Sequence, residues 1–229
     1  NSRGRALGGQ VGAGQYCGGA CGGLGYNAPV HLVYGSPLNP AYLGGGGGRG
    51  SDNNWPGANG GGRVAIAASN LVVNGAIRAN GNTPSGAQAG SGAGGSIQIE
   101  TARLRGSGSI AANGGAFEVG GGGGEVAISY DTLGPSGDGL NGLRQITAFG
   151  GHGSSQWGSA GTVVLRRRKL ASGDLYVDDS ASGSTSGAWP PLPLVGFGSI
   201  RALTADTLTT DGRVTYLPGA LVGLWIRPD

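Results

Sequence analysis

The sequence predicts an all-β chain, a glycine-rich right-handed parallel β-helix with irregular glycine-rich loops, with a β-sandwich as the alternative. Three observations lead there. One unit is written twice: Ile66 and Ile99, Ile77 and Ile110, and Asn80 and Asn113 are each 33 residues apart. Such self-similarity marks a fold made by stacking one supersecondary unit. Short Val/Ile/Leu runs recur without a helical period, and Gly or Pro interrupts nearly every candidate helix. Glycine supplies 54 of 229 residues, about three times the average usage, with no every-third register of the collagen kind.

Residues 1–62 read as a glycine-dense N-terminal region with one strand at Val30–Tyr34. The glycines there suit positive φ, close backbone approach, tight corners or polyproline II geometry, and all four uses stay open. Residues 63–180 read as the repeat stack. Its first unit has strands at Val64–Ile66, Leu71–Val73 and Ala76–Arg78, then an Asn80-Gly81 turn. Its second has Ile97–Ile99, Leu104, Ile110 and Asn113-Gly114. A third, stretched copy aligns Ile128 and Ile146, and a fourth survives as Ala160–Leu165 followed by Gly173–Asp178. Like positions are expected to stack, Ile66 on Ile99, Ile77 on Ile110 and Asn80 on Asn113. A unit of this length exceeds a compact turn of the stack, so one side must carry long glycine-rich excursions. Residues 181–229, with further short strands, read as a C-terminal β cap or the start of a next domain.

These residues resemble the glycine-rich repeat regions of large bacterial cell-surface and secreted proteins. The resemblance rests on Gly-Gly-Gly-Arg-Val-Ala-Ile66, on Leu71-Val-Val-Asn-Gly-Ala-Ile-Arg-Ala-Asn-Gly81, on the closing Ala160–Leu165 and Gly173–Asp178, and on Tyr34-Gly-Ser-Pro37. It implies an extracellular, β-rich adhesin or fibre segment and carries over no catalytic residue. The chain is expected to be a fragment of a longer polypeptide or a processed product, since it opens on Asn1-Ser-Arg.

The formal charge of +3 is too slight to imply nucleic acid, and no apolar stretch is long enough to span a bilayer as a helix. Cys17 and Cys21 fit one disulfide in an oxidising compartment, the alternative being two unpaired small apolar residues. Asp52 ends a single partial match to a calcium nonapeptide, Gly47–Asp52, which fails at Asn54; a plain glycine loop is the preferred reading. No cofactor is expected. Asp178-Asp179 is the only adjacent acidic pair, and on a strand the two side chains diverge, which argues against paired-carboxylate catalysis. The isoleucines and asparagines of the repeat also do not offer the threonine ranks of an ice-binding solenoid.

Candidate ligand or interface contacts are Trp55, Trp157, Trp189 and Tyr42, aromatics in glycine- or proline-rich loops, together with Arg166 and Arg168 of the basic run 166–169. The function expected is a non-enzymatic structural or adhesive segment of an extracellular bacterial surface protein. The alternative is a carbohydrate-binding module or polysaccharide-active enzyme on the same scaffold. The partners expected are polysaccharide, another cell surface, or further copies of the chain.

Overall fold

The computed structural model describes residues 14–29, 33–51, 55–135, 140, 145–154, 156–170, 173–178, 200–204 and 208–210. The described chain is all-β, with mixed sheets and no closed barrel. It divides into two units, Asn1–Pro191 and Leu192–Asp229.

Among its described residues the first unit holds two sheets. The larger contains β1 (Arg63–Val72), β3 (Ser96–Arg105), β5 (Glu125–Tyr130), β8 (Thr162–Arg167) and β9 (Asp174–Tyr176) in that order, with β6 (Thr132–Leu133) also on β3. The smaller runs β2 (Ala76–Arg78), β4 (Ser109–Ala111), β7 (Ile146–Thr147). All pairings in both are parallel except β8 with β9.

The registers follow the repeat. Ile66 pairs with Ile99, Ile99 with Ile128, and Ile128 with Leu165. In the smaller sheet Ile77 pairs with Ile110 and Ile110 with Ile146. The stretched third copy therefore keeps its stacking positions, because the insertion before Ile146 falls between strands. The side chains of these ranks meet between the sheets, where Ile97, Ile99, Leu104, Ile110, Val126 and Ile128 are almost wholly buried. At about 25 cal/mol per Å² of apolar surface, each such side chain contributes roughly 1.5–3 kcal/mol.

The asparagine rank stacks through its side chains. Asn80 Oδ1 accepts the Asn113 N–H at 2.9 Å, and Asn113 Oδ1 accepts the Phe149 N–H, also at 2.9 Å. Each amide thus satisfies a backbone donor of the next unit. Asn113→Ala is expected to destabilise by about 1–3 kcal/mol, the cost of leaving a largely covered donor unpaired; urea unfolding measures it, and an unchanged midpoint would mean that the ladder is incidental.

Two expectations change. The Gly173–Asp178 strand does not continue the parallel stack: after the turn at Arg168-Lys169 it folds back, and β9 caps β8 antiparallel. Of the expected strand Val30–Tyr34, Val33 and Tyr34 are not in a strand, and Val30, His31 and Leu32 lie outside the described residues, as do Asp52, Asp179 and Trp189. In the second unit β10 (Ile200–Leu203) and β11 (Leu208–Thr210) form an antiparallel pair with an irregular register.

The glycine excursions form a bundle of extended, non-strand segments. Residues 17–20, 23–26, 44–50, 57–61, 79–82, 90–95, 112–115, 119–124, 148–151 and 158–161 run side by side through backbone hydrogen bonds. Segment 90–95 shows the rule. Its successive N–H groups donate to Gly48 O, Val119 O, Asn82 O, Gly45 O, Gly122 O and Ala79 O, so the same three neighbours recur every third residue. Its carbonyls at Gly90, Ser91, Gly92 and Ala93 accept from Ala58, Gly19, Gly115 and Gly61, which adds three further neighbours, the first of them met again three residues on. A pleated strand bonds in one plane to two neighbours; a three-residue turn, as in polyproline II, directs bonds radially to six.

Such packing leaves no room for side chains. A Cβ on Gly92 would lie 2.0 Å from Asn59 O, on Gly94 2.0 Å from Ala112 O, and on Gly121 2.1 Å from Gly92 O. Among the described glycines only Gly35 and Gly106 have positive φ. Close approach, rather than left-handed backbone, accounts for the composition. Segments before and within the repeat join one bundle.

Candidate functional site

Each glycine hairpin leaves the sheets, runs out and returns. Segment 79–82 follows β2 and 90–95 precedes β3, so the connection between them lies at the end of the bundle away from the sheets. Ser51, Trp55-Pro56, 83–89, 116–118, 152–154 and 156–157 share that end with Tyr16 and Tyr26-Asn27.

Contacts join them into one surface. Tyr16 N–H donates to Arg49 O at 3.1 Å and Gln15 Nε2 to Gly50 O at 3.0 Å, while Gly50 N–H donates to Trp55 O at 3.0 Å. The Trp55 indole lies over Gly86, where a Cβ would come within 1.9 Å of the ring. Gln88 N–H donates to Glu118 Oε2 at 2.7 Å. Gly153 packs against the Phe117 and Glu118 carbonyls, and beside it His152 stacks on Trp157 at 5.3 Å and 8°.

Tyr16, Trp55 and Phe117 remain 38%, 37% and 39% exposed. The Arg49 Nε and Trp157 Nε1 donors are covered without a hydrogen-bond partner. Among the described residues, the three non-glycine residues with left-handed backbone are Tyr16, Asn27 and Gln88, at φ 60°, 55° and 58°. All three are at this end. Left-handed backbone at a tyrosine or glutamine stores strain, and such positions concentrate where a surface is shaped for use.

The candidates named from sequence separate. Trp55 and Trp157 come to the loop end. Tyr42 lies at the start of β3 instead: its N–H donates to Ser96 Oγ at 3.2 Å, and its ring meets Tyr34 edge-on at 6.2 Å. Arg168 is engaged by Asp131, donating from Nε to Oδ1 at 3.0 Å and from its second nitrogen to Oδ2. This pairing lowers the Asp131 pKa and raises that of Arg168. Arg166 reaches Ser129 Oγ at 3.5 Å. Phe117, Gln88 and Glu118 were not foreseen; their signal was position at the tip of a glycine hairpin.

The cysteine pair is corrected: both thiols are free and buried. Cys17 Sγ donates to Asn27 O at 3.2 Å, whereas Cys21 lies by Tyr34 and Glu125. The turn between 17–20 and 23–26 sends the two side chains to different surroundings. Burial, then the Glu125 charge, pushes the Cys21 thiol up to about 12, which leaves it without nucleophilic thiolate at neutral pH.

Glu125 also escaped notice. It begins β5 in the rank Ser96–Glu125–Thr162, is 2% exposed, and its Oε2 has no hydrogen-bond partner. Gly35, at φ 109°, lies where a Cβ would be 2.3 Å from that oxygen. Burial pushes the carboxyl up to about 7, partly offset by a hydrogen bond from the Ser36 backbone. Tyr34, whose hydroxyl donates to Leu43 O at 2.6 Å, is raised too, by burial and then by Cys21 and Glu125.

No protein-family model matches the chain, nor does any curated protein or solved structure. Among the described residues no helix is long and apolar enough to cross a membrane.

Proposed function

We propose that the chain is a non-enzymatic adhesive segment of an extracellular bacterial surface protein, built as a right-handed parallel β-helix with a glycine bundle on one side. Two sheets, parallel but for β9, whose strands follow chain order support the solenoid reading, and the hand follows the general rule for parallel crossovers. The observation that carries the adhesive reading is the contiguous loop surface with Tyr16, Trp55 and Phe117 half-exposed among amide and carboxylate groups.

Its ligand class is polysaccharide. Aromatic faces stack on the C–H faces of sugar rings, and the neighbouring polar groups bond hydroxyls. A bundle satisfied by its own backbone bonds holds these rings at fixed spacing, which lowers the ordering cost of binding.

On an array of bacterial polysaccharides, the protein is expected to bind a subset, and a Trp55→Ala/Phe117→Ala variant to bind it at least ~10-fold more weakly, about 1.4 kcal/mol, at unchanged melting temperature. Absence of binding to any polysaccharide, or equal binding by the variant, would refute the assignment.

A further inference from the structure

The larger sheet is closed at one end and open at the other. At the closed end β9 covers β8. At the open end β1 and β2 each terminate their sheets, and among the described residues their outer edges have no strand partner.

The same ranks are buried very differently across the first two units. Ile97, Ile99, Leu104 and Ile110 are 0%, 0%, 1% and 0% exposed, while their stacked counterparts Val64, Ile66, Leu71 and Ile77 are only partly buried. Side chains of the core pattern therefore face a place where a further strand pair would sit.

The glycines point to what that pair is. Gly62, Gly95, Gly124 and Gly161 stand immediately before the strands β1, β3, β5 and β8. In the last three, a Cβ would strike the carbonyl of the preceding member: Gly62 O at 1.9 Å, Gly95 O at 2.1 Å and Gly124 O at 1.9 Å. The same holds in the smaller sheet, where a Cβ on Gly108 would lie 2.1 Å from Gly75 O. Yet at Gly62 and Gly75 a Cβ would meet nothing within 4 Å. Both are exposed, and neither has positive φ. Nothing among the described residues requires glycine at these two positions, whereas a unit stacked beyond them, in the register of the others, would require it at both.

We propose that the β1–β2 edge is a docking surface for a strand pair of the same glycine-x-apolar-x-apolar pattern, donated by a second polypeptide and added in parallel register. Its carbonyls would occupy the space over Gly62 and Gly75, its apolar side chains would cover Val64, Ile66, Leu71 and Ile77, and its ladder bonds would satisfy the outer edge of β1. Strand addition of this kind draws affinity from main-chain bonds and specificity from alternate side chains.

The donor is not the described stack of another copy of this chain. In the larger sheet the opposite edge is closed by the antiparallel β9, and a twofold axis would pair two β1 edges either antiparallel or with their apolar faces on opposite sides, neither of which brings the parallel-register carbonyls over both glycines.

The test uses the full chain and a fluorescently labelled synthetic peptide spanning Gly94–Gly114, which carries the pattern of the second unit. Saturable anisotropy binding is expected, weakened at least ~10-fold by Gly62→Val with Gly75→Val. Those substitutions are expected to leave the melting temperature unchanged, since their side chains enter open space. A peptide with Ile97→Asp and Ile99→Asp is expected not to bind, and this arm stands even if the glycine variant folds poorly. No saturable binding, equal binding by the aspartate peptide, or equal binding by a folded glycine variant overturns the proposal. Wild-type dimers in light scattering that the glycine substitutions dissociate would overturn it too, by assigning the edge to self-association.

Discussion

Gly92→Val is expected to abolish the native state. Gly92 belongs to the central segment of the bundle, and its Cβ would lie 2.0 Å from Asn59 O and 2.8 Å from the Gly60 nitrogen. The obstacle is backbone, which cannot rotate away as a side chain can. To admit the methyl groups, segment 57–61 must separate from 90–95, which breaks the Ala58 N–H to Gly90 O and Gly61 N–H to Ala93 O bonds. Each freed, covered group costs about 1–3 kcal/mol. The total destabilisation is expected to be about 4 kcal/mol or more, in the range reserved for disrupted packing and broken hydrogen-bond networks. Urea unfolding followed by circular dichroism and chymotrypsin resistance measures it. A folded Gly92→Val protein of near wild-type midpoint would disprove the radial packing of segment 90–95.

The second large effect is a dependence of stability on pH set by Glu125. Below its ordinary pKa of 4.5 the carboxyl is protonated in the folded and unfolded chains alike, and stability is at its full value. As pH rises, the unfolded chain loses this proton first while the buried carboxyl keeps it up to about 7. Stability from this group therefore declines between about pH 4.5 and 7 and levels off above, once the folded carboxyl has ionised as well. One pKa unit corresponds to about 1.4 kcal/mol, so the decline is about 3 kcal/mol. Glu125→Gln retains the size of the side chain and removes the ionisation. It is expected to flatten this part of the profile and to be the more stable protein at pH 8. Urea midpoints at half-unit intervals of pH read this out; parallel profiles for the two proteins would contradict it.

Both results bear on how much of the molecule its residues announce. Ile66, Ile77 and Asn80 reveal their partners because a side-chain period records which positions stack. The drifted copies are legible for the same reason: Ile128 and Ile146 keep their ranks although the spacing between them changes. The reversal of β9 is not legible. Asp174-Leu-Tyr176 reads as a strand whichever way it runs, and direction depends on the geometry of the turn before it.

The loop surface was half visible. Trp55 and Trp157 stand out as aromatics amid glycine, but Tyr42 looks the same in sequence and belongs elsewhere. Phe117 and Glu118 acquire meaning only from being at a hairpin tip. Arg168 and Asp131 are 37 residues apart, and Arg168 therefore reads as one member of a charge run until β5 and β8 bring the two residues together.

By itself the sequence determined an all-β chain, the strand ranks and the need for long glycine excursions, because apolar periodicity and exact recurrence are carried by side chains. The tertiary structure alone decided what the glycines do, where Cys21 and Glu125 are buried, and which end of the stack is open. Glycine has no side chain whose pattern could distinguish a corner from a six-neighbour contact. That choice is made by backbone carbonyls from segments far apart along the chain, and it exists only once they are packed.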